Sequence, residues 1–276
     1  MADIVGIGSA YTDYFFETNN DFLKSINLNP EDDFLFSEKK ITREEILKHL
    51  KPTTKSPGGI APNTLSALYT LKTKSAYLGV IGKDEDGDYW IKNINLEKTK
   101  ILRAGKTPMC PCILTRVGKQ RTFLSEENKH ERDFFSSLDY NFINKAKIVH
   151  ITPLVVDVEK GINKTLDFLE SVKGPMISFN PSGFYIQRAK TKIKPIIKKS
   201  DIIFLNEHEL KKLTGKPPRA GSNYLLKFGP KIVVCTLSKK GALITTNKKQ
   251  FLTGRHKVNN IVDTTGAGDT FAAGFL

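Results

Sequence analysis

The residues of this chain best suited to chemistry sit in short segments punctuated by glycine. The densest is Asp263-Thr264-Thr265-Gly266-Ala267-Gly268-Asp269-Thr270-Phe271-Ala272-Ala273-Gly274. Two glycines flank a small residue, and a helix-compatible run follows at once. Such a segment lets backbone N–H groups converge at a helix N-terminus. Those groups have no intrahelical partner and the helix dipole is positive there, so an anion is welcome. Asp269 then falls in the first helical turn beside the anion site. A carboxylate so placed could take the proton of an alcohol while the N–H groups stabilise charge on a moving phosphoryl group. The same composition also suits a glycine-rich turn capped by an acidic residue.

Two further segments carry polar groups in useful places. In Ser56-Pro57-Gly58-Gly59-Ile60-Ala61-Pro62-Asn63-Thr64 the paired glycines would admit a ligand close to the backbone. Pro62 suits a first helical turn, and Asn63 offers both donor and acceptor to a hydroxylated ligand. A plain loop fits this stretch as well. Asn206-Glu207-His208-Glu209 follows the strand-like run Asp201–Leu205. Asn206 and Glu209 would share one face of a helix start, fit to organise Mg2+ waters or phosphate oxygens. Their spacing equally suits a capping box. Cys110-Pro111-Cys112 offers two thiols. There is no second Cys pair, only Cys235, and His49, His130, His150, His208 and His256 are scattered, so the four ligands of a structural zinc site are not in sight. No G-x-x-x-x-G-K-[ST] or G-x-S-x-G segment occurs, and Gly6-Ile7-Gly8 meets Tyr11 where a dinucleotide fingerprint needs glycine.

The elements that must position these residues alternate. Nearly continuous β-branched runs lie at Ile4–Ile7, Ala76–Ile81, Lys147–Ile151, Met176–Phe179, Asp201–Leu205, Lys231–Thr236 and Ala242–Thr245. Helical spacing falls at Asn63–Lys72, Glu159–Val172, Ala189–Lys198, Glu207–Leu213 and Ser222–Phe228. Alternation of this kind predicts an α/β fold, a mostly parallel central sheet with helices on both faces, Rossmann-like in layout. Two stretches break the rhythm. Phe15–Lys51 has fragmentary periodicity, and Met109–Leu124 reads as paired strands about a Val117-Gly118-Lys119 turn. Both suit a small β-rich lid near residues 15–51 and 109–124. Ligands of open α/β sheets bind at the carboxyl ends of the strands, which is where the polar segments fall.

Composition narrows the class. At 276 residues, 39% hydrophobic and 26% charged, the chain can bury one large core and is not of disordered type. No apolar run approaches the roughly 18 residues of a membrane span. The first residues pass straight into a strand pattern without a signal-like segment, so a cytoplasmic protein with no membrane partner is expected. The net charge is +14, but the lysines are dispersed and no aromatic–basic interleaving appears. A specific nucleic-acid partner is therefore not expected.

Taken in order, these segments resemble the ribokinase-like, or PfkB, family of carbohydrate and nucleoside kinases, from Ile4 to the last residue. The Asp263–Gly274 segment carries the resemblance most specifically. Gly58-Gly59 with Asn63 is similar to the family's N-terminal signature, and Ala76 to Asp88 to its usual strand and G-x-D-x-x-G turn. The resemblance implies an ATP-dependent phosphotransferase acting on a hydroxymethyl group of a small sugar or nucleoside. It assigns Asp269 as base, with Gly266, Ala267 and Gly268 as the anion hole. It assigns Asp13, Gly58, Gly59 and Asn63 to the acceptor. Asn206 and Glu209 go to ATP phosphates and, through water, to Mg2+. Thr236, Ser238 and Gly241 match a nucleotide loop in which Ser238 replaces a glycine. The resemblance leaves room for a monovalent cation and for a homodimer formed through the lid. The stretch from Asp13 to Gly58, with Leu28-Asn29-Pro30-Glu31-Asp32-Asp33-Phe34, looks more like the adenosine-kinase-like branch, which favours a nucleoside over a free sugar. Family members run on for tens of residues past this helix, so the last helices, which close the adenine pocket, are expected to be missing from a chain ending at Leu276. A non-catalytic ligand-binding protein on the same fold is the alternative.

Overall fold

In a computed structural model the short β-branched runs become the strands of one large sheet. The structure describes residues 2–26, 28, 33–97, 100–115, 121–128, 130–154, 158–256 and 264–276. The Val117-Gly118-Lys119 turn, residues 29–32 of the long insertion and Asp263 lie outside them. In chain order the described strands are β1 Ile4–Ile7, β2 Tyr11–Thr18, β3 Asp33–Leu35, β4 Thr54–Gly58, β5 Ser75–Ile81, β6 Ile101–Arg103, β7 Met109–Thr115, β8 Arg121–Ser125, β9 Ile148–Ile151, β10 Met176–Phe179, β11 Ile202–Asn206, β12 Ile232–Thr236, β13 Ala242–Thr246 and β14 Gln250–Thr253. The helices are α1 Asn20–Ser25, α2 Phe36–Lys39, α3 Arg43–His49, α4 Ile60–Thr70, α5 Glu85–Asn93, α6 Glu131–Phe134, α7 Tyr140–Ile143, α8 Val158–Ser171, α9 Ser182–Ala189, α10 Lys194–Lys199, α11 Glu207–Thr214, α12 Pro218–Leu226 and α13 Ala267–Phe275.

The central sheet has the order β14-β13-β12-β11-β10-β9-β1-β5-β6. Neighbours from β12 to β6 run parallel, while β13 and β14 are antiparallel additions at one edge. Alternation along each strand supplies two cores. Val5, Val149, Ile203 and Val233 face α8 to α12. Ile4, Tyr77 and Ile148 face α4 and α5, and Ile202, Phe204 and Val234 face α13. A strand with apolar side chains on both faces can only sit inside such a sandwich.

A second, five-stranded sheet, β3-β8-β7-β2-β4, forms the β-rich lid. It draws on Tyr11–Thr18 and Thr54–Gly58 as well as on the stretches expected from sequence. Its strands also alternate. Phe16, Phe34, Met109, Ile113 and Leu124 pack under α1 to α3 in a small core of their own. Tyr11, Leu35, Cys110 and Cys112 face inward, toward the main domain.

Two local readings change. The predicted helix Ala189–Lys198 is two helices, α9 and α10. Pro195 lies at the start of α10, where its ring and missing N–H forbid an unbroken helix through Thr191–Lys194. The turn expected after Ile81 is instead the start of α5, capped by Asp84, whose carboxylate accepts the Gly87 N–H at 2.9 Å and the Thr107 N–H at 2.9 Å.

Candidate active site

The carboxyl ends of β1, β9, β10 and β11 open into a cavity of about 260 Å³, roofed by the lid. Asp13, Gly59, Asn63, Glu209, Gly266 and Asp269 all line it. Four segments far apart in sequence therefore converge on one space. Of the other expected residues, Gly58 lies behind Asp13, and Ala267 and Gly268 begin α13 beside the cavity. Asn206 anchors Glu209. Thr236 sits one strand further along the edge, in register with Asn206, followed by Ser238 and Gly241. These three lie beyond the cavity wall. A larger depression, of about 820 Å³, lies at the amino ends of β1 and β5 among Ala2, Tyr69, Lys72 and Lys74 and holds none of the motif residues.

Asp13 lies on β2, paired with Ser56 of β4 on one side and Cys110 of β7 on the other. Its carboxylate packs against the Gly58 backbone. A Cβ added at Gly58 would lie 2.1 Å from Asp13 Oδ2, so any larger residue there would push the Asp13 carboxylate aside. Gly59 follows at φ 115° and turns the chain from strand directly into α4. The Gly-Gly pair is thus a strand-to-helix junction and not a plain loop. The junction places Asn63 on the first turn of α4, where its Nδ2 donates to Asp269 Oδ2 at 2.9 Å.

Asp269 is the third residue of α13, and Gly266 caps that helix at φ 73°, in the left-handed region that glycine enters freely. The Ala267 N–H donates to the Thr264 carbonyl at 3.2 Å and closes the turn. The N–H groups of Gly268 and Asp269, at the second and third helical positions, are then those the helix leaves for a ligand. Nothing lies within 4 Å of a Cβ built on Gly268, so this helix start faces open space.

The electrostatics of the carboxylates follow from their walls. Asp13 and Asp269 keep some accessible area because they face the cavity, yet protein surrounds them on nearly every side. Burial, with the Asp269 charge added, raises Asp13 from 3.8 to about 8. Burial likewise raises Asp269 to about 6; the Glu209 charge adds to this, and the Asn63 hydrogen bond opposes it. Burial also raises Glu209, and Asp33 reinforces the shift, against backbone N–H groups of Asn206 and Gly183 that favour its charged form. Near neutral pH the site therefore holds an ionised Asp269 beside a protonated Asp13, two carboxyl groups separated in role by environment.

Asn206 and Glu209 form a capping box. Asn206 Oδ1 accepts the Glu209 N–H at 2.8 Å, and Glu209 Oε2 accepts the Asn206 N–H at 2.8 Å. The cap and the cavity are not exclusive, because the capped carboxylate also faces the cavity. Ser238 stands at φ 51°, which explains why glycine would be comfortable there.

Several lining residues had no signal in the sequence. Tyr11, Asp33, Cys110 and Phe123 reach the cavity only because the lid folds over it. Ser182 and Gly183 follow β10, and the rule of carboxyl ends could have found them. Ser182 adopts φ 50°, an uncommon conformation for serine and one that turns the chain into α9 at the cavity rim.

A large, mostly parallel sheet with a β lid over its carboxyl edge is the ribokinase-like fold. Adenosine kinase from Sinorhizobium meliloti superposes with a TM-score of 0.82 at 21% identity, over 99% of this chain and 86% of that one. Ribokinase from Arabidopsis thaliana, solved with ribose and ATP, superposes with a TM-score of 0.73 at 20% identity, over 100% and 85%. The chain belongs to the pfkB family of carbohydrate kinases, whose pattern matches residues 27–276. Among curated relatives, an uncharacterized sugar kinase of Archaeoglobus fulgidus is 26% identical over 217 residues, 76% of this chain and 84% of that protein. A nucleoside kinase of Methanocaldococcus jannaschii is 26% identical over 250 residues, 88% of this chain and 79% of that protein. The chain is thus a sugar or nucleoside kinase. Among the described residues, no helix is long and apolar enough to cross a membrane.

Proposed function

We propose that the chain transfers the γ-phosphoryl group of ATP to the hydroxymethyl group of an adenosine-like nucleoside. The observation that carries this reading is the junction of Asp269, held by Asn63, with Asp13 in one cavity at the start of α13. Asp269 accepts the proton of the acceptor hydroxyl. Protonated Asp13 donates to a second acceptor oxygen and fixes its orientation. The N–H groups of Gly268 and Asp269, with Gly266 shaping their turn, stabilise charge on the moving phosphoryl group. Thr236, Ser238 and Gly241 extend the carboxyl edge toward the nucleotide.

A magnesium ion fits the acidic corner of the cavity. Asp33 and Glu209 sense one another there, and the resulting repulsion disfavours a second negative charge without a cation. Glu209 would hold Mg2+ through water, and the ion would neutralise phosphate charge. The lid supplies Tyr11 and Phe123 and the main domain Phe184, so part of the cavity lining is aromatic. A flat base suits such a lining better than a free pyranose or furanose does. The nucleoside kinase of M. jannaschii supports the same preference, whereas the fructokinases among the relatives favour a sugar.

An ADP-release screen against adenosine, other nucleosides, ribose, fructose and fructose phosphates tests the reading. A nucleoside should show a kcat/KM at least about tenfold above any free sugar, a difference of about 1.4 kcal/mol in transition-state binding. A free sugar as the best acceptor would overturn the nucleoside assignment.

A further inference from the structure

The inner face of the lid brings together two groups of the chain that sequence kept apart. Cys110 and Cys112 alternate on β7 and so point the same way. Asp13 is in register with Cys110 on the neighbouring parallel strand. The carboxylate oxygen of Asp13 and the two Sγ atoms lie within 4.8 Å of one another. Both cysteines are free and buried, at 8% and 4% exposure, while Cys110 and Asp13 also line the cavity. Among the described residues, no lysine, arginine or histidine pairs with Asp13. One thiol and an unpaired carboxyl group thus share a wall of the cavity, with the second thiol buried within 4.8 Å of both.

We propose that Cys110, Cys112 and Asp13 bind a zinc-class divalent cation at the lid wall of the cavity. The third ligand that Cys110-Pro111-Cys112 lacks in sequence is supplied by β2. A tetrahedral zinc with bonds of about 2.3 Å to sulfur and about 2.0–2.2 Å to oxygen spans its ligand pairs by about 3.5–3.8 Å. Side-chain rotations that close the present spacing by about 1 Å complete the set. The donors choose the metal. Thiolates favour Zn2+, Cd2+ and Co2+ and discriminate against Mg2+ and Ca2+, which take oxygen. Binding deprotonates both thiols and releases their protons to solvent, along with that of Asp13 where it is protonated. Three protein ligands leave the fourth position open toward the cavity, for water or a further oxygen. That the metal then competes with the acceptor for Asp13 rests on the function proposed above; the metal site itself does not.

Cobalt reports such a site directly. The folded full-length chain, reduced with a phosphine and kept free of oxygen, is titrated with Co2+. One equivalent should produce thiolate-to-cobalt charge-transfer absorbance in the near ultraviolet and the visible bands of tetrahedral cobalt, and Zn2+ should bleach both. Cys112→Ser and Cys112→Ala should lose the charge-transfer band. Cys235→Ser should retain it, because Cys235 lies on β12 of the other sheet. Asp13→Asn should move the midpoint by about tenfold or more. If neither Cys112 variant folds by circular dichroism, X-ray absorption at the zinc edge of the wild type should count two sulfur ligands. Absence of the band in the wild type, its survival in both Cys112 variants, an unmoved midpoint in Asp13→Asn, or a zinc shell without sulfur overturns the proposal. An inactive protein that still gives the band would refute the phosphotransfer reading alone.

Discussion

At the scale of single residues the site turns on two carboxyl groups with different environments. Asp269→Asn should lower kcat by about 10² to 10⁴, the usual worth of a general base, with little change in melting temperature. In the wild type, kcat/KM should fall as pH drops below about 6, where Asp269 takes up its proton. Wild-type turnover in the Asn variant would refute the base assignment. Asp13 makes a second prediction, on stability. Its folded-state value is raised from 3.8 to about 8, so between those values the native state binds more protons than the unfolded chain. Stability contributed by the protonated form is therefore lost as pH rises from about 4 to about 8. Asp13→Asn carries no such charge. It should melt above the wild type at pH 8 and lose that advantage toward pH 5, which thermal scans at the two pH values would read. Asp269 was legible because glycines and acid lie within one segment. Asp13 was legible only through family resemblance, Cys110 only as one of a pair of thiols, and Tyr11 and Phe123 not at all, since nothing local marks a lid residue that faces a cavity.

At the scale of elements, the start of α11 carries two duties on one side chain. Glutamine preserves the capping box that Glu209 makes with Asn206, because its side-chain oxygen can still accept the Asn206 N–H. Glu209→Gln should therefore keep its stability within a few tenths of a kcal/mol while its rate requires more Mg2+. Glu209→Ala should show the same metal dependence and also lose about 1 kcal/mol. A Mg2+ titration of rate beside urea melts separates the two duties; unchanged metal dependence in both variants would leave Glu209 as a cap alone. The buried parallel strands were readable from their apolar runs. The predicted helix Ala189–Lys198 is broken in two: its lysines and isoleucines keep a helical period on both sides of Pro195, and that period hides the break the proline makes. Helix α5 was missed because its sequence, Glu85-Asp86-Gly87-Asp88, looks like a turn until Asp84 is seen capping it.

At the scale of the molecule, the lid is a sandwich layer, apolar on both faces, joined to the main domain by polar clusters at two places. On one side Asp86 of α5 accepts from Tyr14, Arg43 and Lys55 of the lid. On the other, Arg188 of α9 reaches the lid. It donates to both Glu38 oxygens, at 2.7 and 2.6 Å, and to the Asp33 carbonyl at 2.6 Å. Arg121 of β8 reaches Thr265 in the loop before α13. Arg188→Ala should raise the acceptor KM several-fold while changing kcat little, and should speed hydrogen exchange in β3 and β8 more than in β9 to β11. Equal exchange in lid and central sheet would show that the contact does not hold the lid. Of the lid's pairings only that of β7 with β8 was legible in the sequence; β2, β3 and β4 come from separated segments, so no local pattern announces that they are partners.

The lid's first strand is tied to the central sheet by only Gly8–Ala10, and its edge strand β4 runs into α4 through Gly59 alone. Both tethers lie on the cavity floor. Any swing of the lid must bend there, and it carries Asp13 toward or away from Asp269. Burial first, and the Asp269 charge second, keep the proton on Asp13, so lid position and proton inventory are one variable. Lifting the lid near pH 7 should release the proton that Asp13 holds in its present place, and bringing it back down onto an acceptor should recover that proton from the buffer. Calorimetric titration with adenosine in buffers of different ionisation enthalpy would count that proton; a binding heat indifferent to the buffer would mean that Asp13 never leaves its present surroundings.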